Sequence, residues 1–243
     1  MKKLLVLLLV VTSTISFAQE SVLLRLNYAK GDEFKAEMKM SQEMGTMMSM
    51  GMSIDMSMSV VDVTDDTNIS EMKITKMTMD MLQAGNVMSF DSTKSDDELD
   101  EMGKMMKAQM SPMLSSVITS KGNNLGEVLE VKAEPNVPGM DDFTSQTNVV
   151  YPKEAIKVGS TWTFQKDQKG MILDFVYTVK AILKDKVELD ITGTSSGLAT
   201  GDITGTMNID RASGIPLTSN IDMSLTLQGQ KMNSKVSMTM TKM

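Results

Sequence analysis

Residues 34–60 read FKAEMKMSQEMGTMMSMGMSIDMSMSV, and this stretch decides the fold class. Its even-numbered residues are nearly all apolar, mostly Met, whereas most odd-numbered residues are Ser, Lys, Glu or Asp, with Met47 the clear exception. Alternation with period two is typical of a β-strand that has one buried and one solvated face. Because the stretch exceeds the usual strand length of roughly 3–10 residues, we expect two strands, with a break near Gly45 and Thr46 or at Gly51.

The same alternation predicts strands on both sides of this stretch. Between residues 69 and 82 the apolar positions change parity, which predicts a β-bulge near Thr75 and Lys76. The other predicted strands are bounded by Gly, Asp or Asn turns, and they cover residues 22–28, 87–91, 127–132, 161–165, 171–183, 186–192, 202–210, 217–227 and 231–241.

The middle of the chain has a helical pattern instead. Ser95 and Glu98 have the spacing of a capping box, which marks a helix start. Apolar residues then recur every three or four positions, which predicts an amphipathic helix over residues 96–118. The residues of this apolar stripe are Leu99, Met102, Met106, Met110, Met113 and Val117. Pro112 either kinks the helix or begins a second short helix capped by Ser111.

The predicted order is strands over residues 22–91, the helix over 96–118, an irregular crossover over 133–152, and strands over 160–242. This order indicates a mainly β protein with one strongly curved antiparallel sheet, or a partly open barrel, and the central amphipathic helix packed on it. A two-sheet sandwich is the alternative. We expect residues 19–243 to form one β-rich domain, because neither half alone would close such a sheet.

Residues 1–18 have the pattern of a secretory signal peptide. Lys2 and Lys3 precede an apolar run over residues 4–11, and Ser16, Phe17 and Ala18 form a small-x-small cleavage site. The run is shorter than the ~20 residues that span a bilayer, so we expect no stable membrane insertion. The sequence therefore predicts an exported, soluble protein, periplasmic or secreted.

The composition excludes several classes of site. The chain has neither His nor Cys, which removes His-based general bases, Cys-His nucleophiles and cysteine-held metal clusters. Its 24 basic and 31 acidic side chains give a net charge of −7, which is unsuited to nucleic acid. We therefore expect a protein that is not an enzyme, needs no cofactor and does not bind nucleic acid.

The 28 Met residues are the most distinctive feature. Met is not a preferred strand residue, and its flexible thioether adapts to irregular shapes. The first hypothesis is a Met-lined face that binds an apolar small molecule, a lipid or a protein partner. The candidate ligand-binding residues are Met48, Met50, Met52, Met56, Met58, Met77, Met79 and Met81.

Three other interpretations of the Met residues are open. Thioethers are soft donors that select Cu(I), and repeated Met-x-Met pairs suit copper handling in the periplasm, with each metal bound by two neighbouring strands. Met could also scavenge oxidants by forming sulfoxides. The simplest interpretation is that Met replaces Leu and Ile as core filler in a structural or partner-binding protein.

A set of turn and strand-start motifs resembles a family of exported bacterial domains of unknown function. The motifs are 28–32 (YAKGD), 90–92 (FDS), 126–128 (GEV), 151–152 (YP), 158–162 (VGSTW), Asp210 and 213–214 (SG). The resemblance spans nearly the whole chain after residue 18 and implies a β-rich exported domain with a central helix, without catalytic residues. The strand–helix–strand order also looks like periplasmic lipoprotein carriers, whose curved sheet holds acyl chains; this is an analogy of fold.

Overall fold

The computed structural model describes residues 20–45, 48–137, 149–168 and 170–243. The helical elements are a 3₁₀ turn (Asp96–Glu98) and α1 (Glu101–Ser115). The strands are β1 (Ser21–Val22), β2 (Glu33–Met44), β3 (Met48–Val63), β4 (Thr67–Gln83), β5 (Asn86–Asp91), β6 (Val117–Asn123), β7 (Val128–Glu134), β8 (Ile156–Lys157), β9 (Thr161–Gln168), β10 (Met171–Ile182), β11 (Lys186–Gly197), β12 (Ala199–Asp210), β13 (Pro216–Leu227) and β14 (Gln230–Lys242). The predicted signal peptide, Met47 and most of the predicted crossover lie outside the described residues.

One antiparallel sheet of 12 strands forms most of the molecule. Its strand order is β7-β6-β4-β3-β2-β14-β13-β12-β11-β10-β9, with β5 also paired to β4. The pairing of β2 with β14 joins the two halves of the chain. Within the described ranges, β7 and β9 do not pair with each other, so the sheet stays open. The predicted mainly β, curved-sheet fold is confirmed, and the two-sheet sandwich alternative is wrong because backbone pairing continues from β7 to β9.

The period-two pattern identifies the inward face correctly. Phe34, Ala36 and Met38 of β2 are buried, while Lys35 and Glu37 between them point outward. The turn after Met44 contains Gly45 and separates β2 from β3, as predicted, whereas Gly51 lies within β3. The predicted bulge is confirmed, since Asp55 pairs with Lys76 and Met56 with Ile74, which leaves Thr75 as the extra residue.

The predicted strand over residues 22–28 is wrong beyond Val22, since only Ser21–Val22 pairs in a ladder, with β8. The chain instead crosses the inward face of the sheet. Its backbone bonds go to two distant partners, from Leu26 N–H to the Asn124 carbonyl and from Asn27 N–H to the Ser213 carbonyl. Leu24 is almost fully buried there, so the apolar residues of this segment mark a cover over the sheet.

The predicted helix over residues 96–118 is too long at both ends. The Glu98 carboxylate accepts a bond from the Ser95 backbone, as the capping box predicts, but only a 3₁₀ turn follows. Asp100 then caps α1 by accepting from Gly103 N–H at 2.7 Å. The α-helix continues through Pro112 to Ser115, so no second helix begins at Ser111. Val117 is not helical, because β6 starts there and pairs with β4 and β7.

The inward face is covered by two separate elements. Over β2 to β5, α1 packs the side chains of Met106, Met110, Met113 and Leu114 against the buried Met and Ile residues of the sheet. Over β10 to β12, the cover consists of residues 20–28 together with residues 149–157, and Leu24, Val149, Tyr151 and Ile156 are its buried members. A depression between these two covers remains.

Candidate functional site

A cleft lies on the inward face between the two covers. It has a volume of about 90 Å³, several times the ~15 Å³ that admits one water molecule, so the interior here is not fully packed. Side chains from β2, β9, β10, β12, β13 and β14 form its walls. They are Met38, Phe164, Lys166, Gln168, Leu173, Phe175, Tyr177, Met207, Ser219, Ile221, Met223, Val236 and Met238. We call this depression the inner cleft.

Two glycines lie next to residues of the cleft wall. Gly193 in β11 and Gly205 in β12 occupy inward positions where their neighbours along the strand carry large side chains. Gly193 lies between Phe175 and Ile203 of the adjacent strands, and Gly205 pairs with Ile221. A glycine within a strand often marks a bend or a place where another group approaches the backbone. Here the backbone of the adjacent strand lies where a Cβ atom would be, at the carbonyl oxygens of Asp174 and Asn220.

Aromatic rings form the β9–β10 wall of the inner cleft. Trp162 stacks on Tyr177 with ring centroids 5.3 Å apart, and Phe175 stacks on Tyr177 at 6.4 Å. Trp162 Nε1 donates to the Val150 carbonyl at 2.9 Å, which ties this wall to residues 149–157. Burial raises the pKa of the Tyr177 hydroxyl to about 12, which is a sign of a poorly hydrated wall.

The cover formed by residues 20–28 and 149–157 is held by specific hydrogen bonds. The Tyr151 hydroxyl donates to the Gly214 carbonyl at 2.6 Å, and the Arg25 guanidinium donates to the Pro152 carbonyl at 2.9 Å. Tyr151 and Leu24 are both almost completely buried. These bonds link the cover to itself and to the sheet.

Two polar side chains, Lys166 and Gln168, lie at the end of the inner cleft that is farthest from Ser219 along the strands. Trp162, Phe164, Lys166 and Gln168 alternate along β9 with exposed residues and share its inward face. Lys166 pairs with Leu173 in the register, and its side-chain nitrogen is buried. Among the described residues that line the inner cleft, Lys166 is the only one with a charged side chain. The site thus combines a long apolar surface with a cation.

None of the eight Met residues predicted as ligand contacts is among the described residues of the inner cleft wall. Met56, Met58 and Met77 are buried in the core of the sheet. Met48, Met50, Met52, Met79 and Met81 are half-buried on the inward faces of β3 and β4. The structure brings these eight together on two adjacent strands, outside the inner cleft. Met52, Met56, Met77 and Met79 belong to the cluster under α1, whereas Met58 packs with Phe34, Val60 and Ile215.

The Met residues that do line the inner cleft are Met38, Met207, Met223 and Met238. None of these lining residues was predicted as a ligand contact, because the sequence reasoning concentrated on the Met-dense stretch. The signal that could have found it is the inward parity of β9 to β14, where Phe164, Ile221 and Met223 alternate with polar residues. Alternation alone does not separate residues facing a cleft from those in a packed core.

Met side chains also form rows across neighbouring strands. Met50 of β3 lies opposite Met81 of β4, which lies opposite Met88 of β5. A second row joins Met40 of β2 to Met52 and Met79. Directly opposed residues in antiparallel strands have Cβ atoms about 5 Å apart. Three thioethers of a row can therefore reach a common point.

Within the described ranges, no helix has the length and hydrophobicity needed to cross a bilayer. No protein-family model and no curated protein matches the sequence, so the resemblance to exported domains of unknown function stays a prediction. A solved structure described as "Lipid-protein interactions in lipovitellin" has a similar fold, with a TM-score of 0.54 and 11% sequence identity. The alignment covers 89% of this chain and 25% of that chain. At this identity the likeness shows a shared fold alone.

Proposed function

We propose that this protein is an exported, non-enzymatic carrier that binds a lipid-like molecule with a long acyl chain in the inner cleft. The observation that carries the proposal is an unfilled apolar cavity on the inward face of an open sheet. Apolar concave sites with a few polar groups are the usual form of small-molecule sites. The similarity of the fold to lipovitellin, whose structure is described in terms of lipid–protein interactions, supports the same choice of ligand.

The dimensions of the inner cleft suit one acyl chain. Along the strands, the apolar part of its lining extends from the register row of Ser219 to that of Leu173, which pairs with Lys166. Six residues separate these two rows, as between Val179 and Leu173 of β10, which corresponds to about 20 Å at ~3.3 Å per residue. A single leaflet of a bilayer has a hydrocarbon thickness of about 15 Å. A chain of membrane-lipid length can therefore lie along the cleft.

Flexible side chains make expansion of the inner cleft easy. Met207, Met223 and Met238 can change rotamers at low cost, because the unbranched thioether has three rotatable bonds. The cavity can therefore widen around a ligand that exceeds its present volume. The half-buried Ile221 and Met223 give up exposed apolar surface when a chain binds, which supplies the driving force.

Intrinsic fluorescence provides a direct test, because the chain has a single Trp, and Trp162 stacks on a wall residue of the inner cleft. Titration with hexadecanoate is expected to change the emission of Trp162 saturably. The double variant Ile221→Asn/Met223→Gln should weaken binding by at least about tenfold, because it makes the wall polar. The control is Val87→Asn, since Val87 is 78% exposed and far from the cleft in the strand order.

Protein purified without detergent should also carry a lipid that is visible by native mass spectrometry. Absence of co-purified lipid, together with no saturable response to hexadecanoate or to a hydrophobic dye, would overturn the proposal. A copurifying protein in place of a lipid would favour the partner-binding alternative instead.

The Met rows favour Cu(I) binding as a second candidate function. Met50, Met81 and Met88 lie side by side on β3, β4 and β5 and are all half-buried, so an ion can reach them from solvent. Three thioethers are a soft donor set that suits Cu(I). A Cu(I) titration under reducing conditions should show one tight site that Met81→Leu removes and that Met102→Leu, on the exposed side of α1, retains. No uptake by the unmodified protein would exclude this function.

A further inference from the structure

We propose that two copies of this protein pair edge to edge through β9 and form a twofold-symmetric dimer. The proposal concerns the assembly of the chain, and it does not depend on the ligand of the inner cleft. The observation behind it is that the free edge of β9 is complementary to itself about Phe164.

The register of β9 with β10 decides which backbone groups of β9 are free. Val179 N–H donates to the Ser160 carbonyl, and the Val179 carbonyl accepts from Gly159 N–H. Every second residue before Val179 in β10 therefore also directs its backbone groups toward β9, where Trp162, Phe164, Lys166 and Gln168 are the partners. The alternate residues of β9 direct their backbone groups away from β10, and in the described ranges no other strand pairs with them. These residues are Thr161, Thr163, Gln165 and Asp167.

The two edges of the sheet differ in their protection against pairing. Natural sheets block their edges with charged side chains, proline or bulges. The β7 edge has a bulge in its pairing with β6, three charged side chains along the strand, and Pro135 directly after it. The outward side chains of β9 are two Thr, one Gln and, near its end, Asp167. Residues 161–168 contain no proline, and their pairing with β10 has no bulge, so this edge is open to another strand.

Antiparallel pairing of β9 with its own copy has one register that uses the whole free edge. With Phe164 opposite Phe164 of the second copy, Thr163 lies opposite Gln165, and Thr161 lies opposite Asp167. Each of these outward-facing pairs can exchange two backbone hydrogen bonds. No like charges are directly opposed in this register, and the two Phe164 rings meet on the twofold axis as a stabilising aromatic pair.

A second copy fits this edge better than an open chain of copies. Pairing of β9 with β7 of another copy would leave one free edge at each end and continue into a filament, whereas pairing of β9 with β9 stops at two copies. Phe164 lines the inner cleft and is half-buried in the single chain. In the dimer it loses exposed apolar surface, which favours association, and the inner clefts of the two copies lie side by side.

Sedimentation velocity of the full protein between about 1 and 100 μM should show a monomer–dimer equilibrium. Gln165→Pro should raise the dissociation constant of the dimer by about tenfold or more, because it removes an N–H that points to the second copy and leaves the bonds to β10 intact. Gln165→Thr is the matched control, since it keeps this N–H, and it should change the constant by less than about threefold. Circular dichroism should show that both variants fold.

Introduced thiols test the register, because the chain has no Cys. Phe164→Cys should form a disulfide-linked dimer under mild oxidation, since opposed residues of a non-hydrogen-bonded pair have Cβ atoms about 4.5 Å apart. Thr161→Cys should not, because the two copies of this residue lie roughly 20 Å apart in the proposed register.

A monomer at every concentration would overturn the proposal. Equal effects of Gln165→Pro and Gln165→Thr on the dissociation constant would also overturn it, because the free N–H would then play no part in association. A dimer that cross-links through Thr161→Cys and not through Phe164→Cys would reject the twofold register about Phe164. None of these outcomes bears on lipid binding, which the hexadecanoate titration tests separately.

Discussion

Gly193 of β11 lies directly opposite Phe175 of β10, and a Cβ atom added at Gly193 would collide with the carbonyl oxygen of Asp174. Gly205 of β12 has the same relationship to the carbonyl oxygen of Asn220. In both places the neighbouring backbone occupies the space that any other residue would need. The close pairing of β10 with β11 and of β12 with β13 therefore depends on glycine at these positions.

The variant Gly193→Ala should destabilise the protein by about 1–3 kcal/mol, because the extra methyl group forces β10 and β11 apart. Urea unfolding measures this change in the free energy of unfolding. The control is Gly51→Ala in β3, where an added Cβ meets no atom within 4 Å. It should be neutral or stabilising by up to ~1 kcal/mol, since glycine weakens a strand relative to alanine. Similar effects of the two substitutions would contradict this account.

Replacing a buried Met on the inward face of the sheet should lower the free energy of unfolding much more than replacing an exposed Met on the surface of α1. Met77 is 2% exposed in the core under α1, whereas Met105 is 60% exposed on the outer side of α1. Met77→Ala should cost about 2–5 kcal/mol because it leaves a cavity, and Met105→Ala should stay within about 0.5 kcal/mol. Thermal and urea unfolding check both values. A loss below 1 kcal/mol for Met77→Ala would show that the core collapses around the missing side chain.

All three Tyr residues should resist ionisation in the folded protein. Burial, aided by the charge of Asp32, raises the pKa of Tyr28 to about 12, and burial raises the pKa of Tyr177 to about 12. Burial likewise raises the pKa of Tyr151 well above its ordinary value. Because each pKa is higher in the folded state, the associated stability is complete below pH ~10 and is lost as the pH rises towards 12.

Absorbance at 295 nm follows this titration, and its rise with pH comes from these three residues. The native protein should show little tyrosinate at pH 10, whereas protein in concentrated urea should titrate with a midpoint near 10. A native midpoint close to 10 would show that the Tyr hydroxyls are hydrated. The cover formed by residues 20–28 and 149–157 would then be open to water.

The N-cap at Asp100 should stabilise α1 by about 1 kcal/mol. Its carboxylate accepts the Gly103 N–H at 2.7 Å, and Asp100→Ala leaves this donor without its acceptor. Hydrogen exchange should become faster in the first turn of α1, and the free energy of unfolding should fall by that amount. Asp97→Ala is the control, because Asp97 is exposed and precedes the cap. Equal losses for the two variants would mean that general acidity, rather than the cap, stabilises the helix start.

The alternation of apolar and polar residues was sufficient to predict the β-rich fold, the inward face of β2 and β3 and the bulge at Thr75. These properties depend on local geometry, since successive side chains in a strand point to opposite faces. The same local reasoning failed for residues 22–28, because most of this segment is part of a cover packed on the sheet and is not a strand of it. It also failed at Val117, because pairing with the distant β4 decided between helix and strand.

The amino-acid sequence by itself determined which side chains face inward, because that property has a period of two along each strand. The tertiary structure alone decided which inward residues surround open space. Met38 meets Met238 from the far end of the chain, and Lys166 lies at the end of the inner cleft only because β9 and β10 pair in one register. The two covers fill one part of the inward face and leave another part empty. Their positions depend on contacts between residues that are far apart in the sequence. For this reason the predicted Met site and the observed cleft lie in different places.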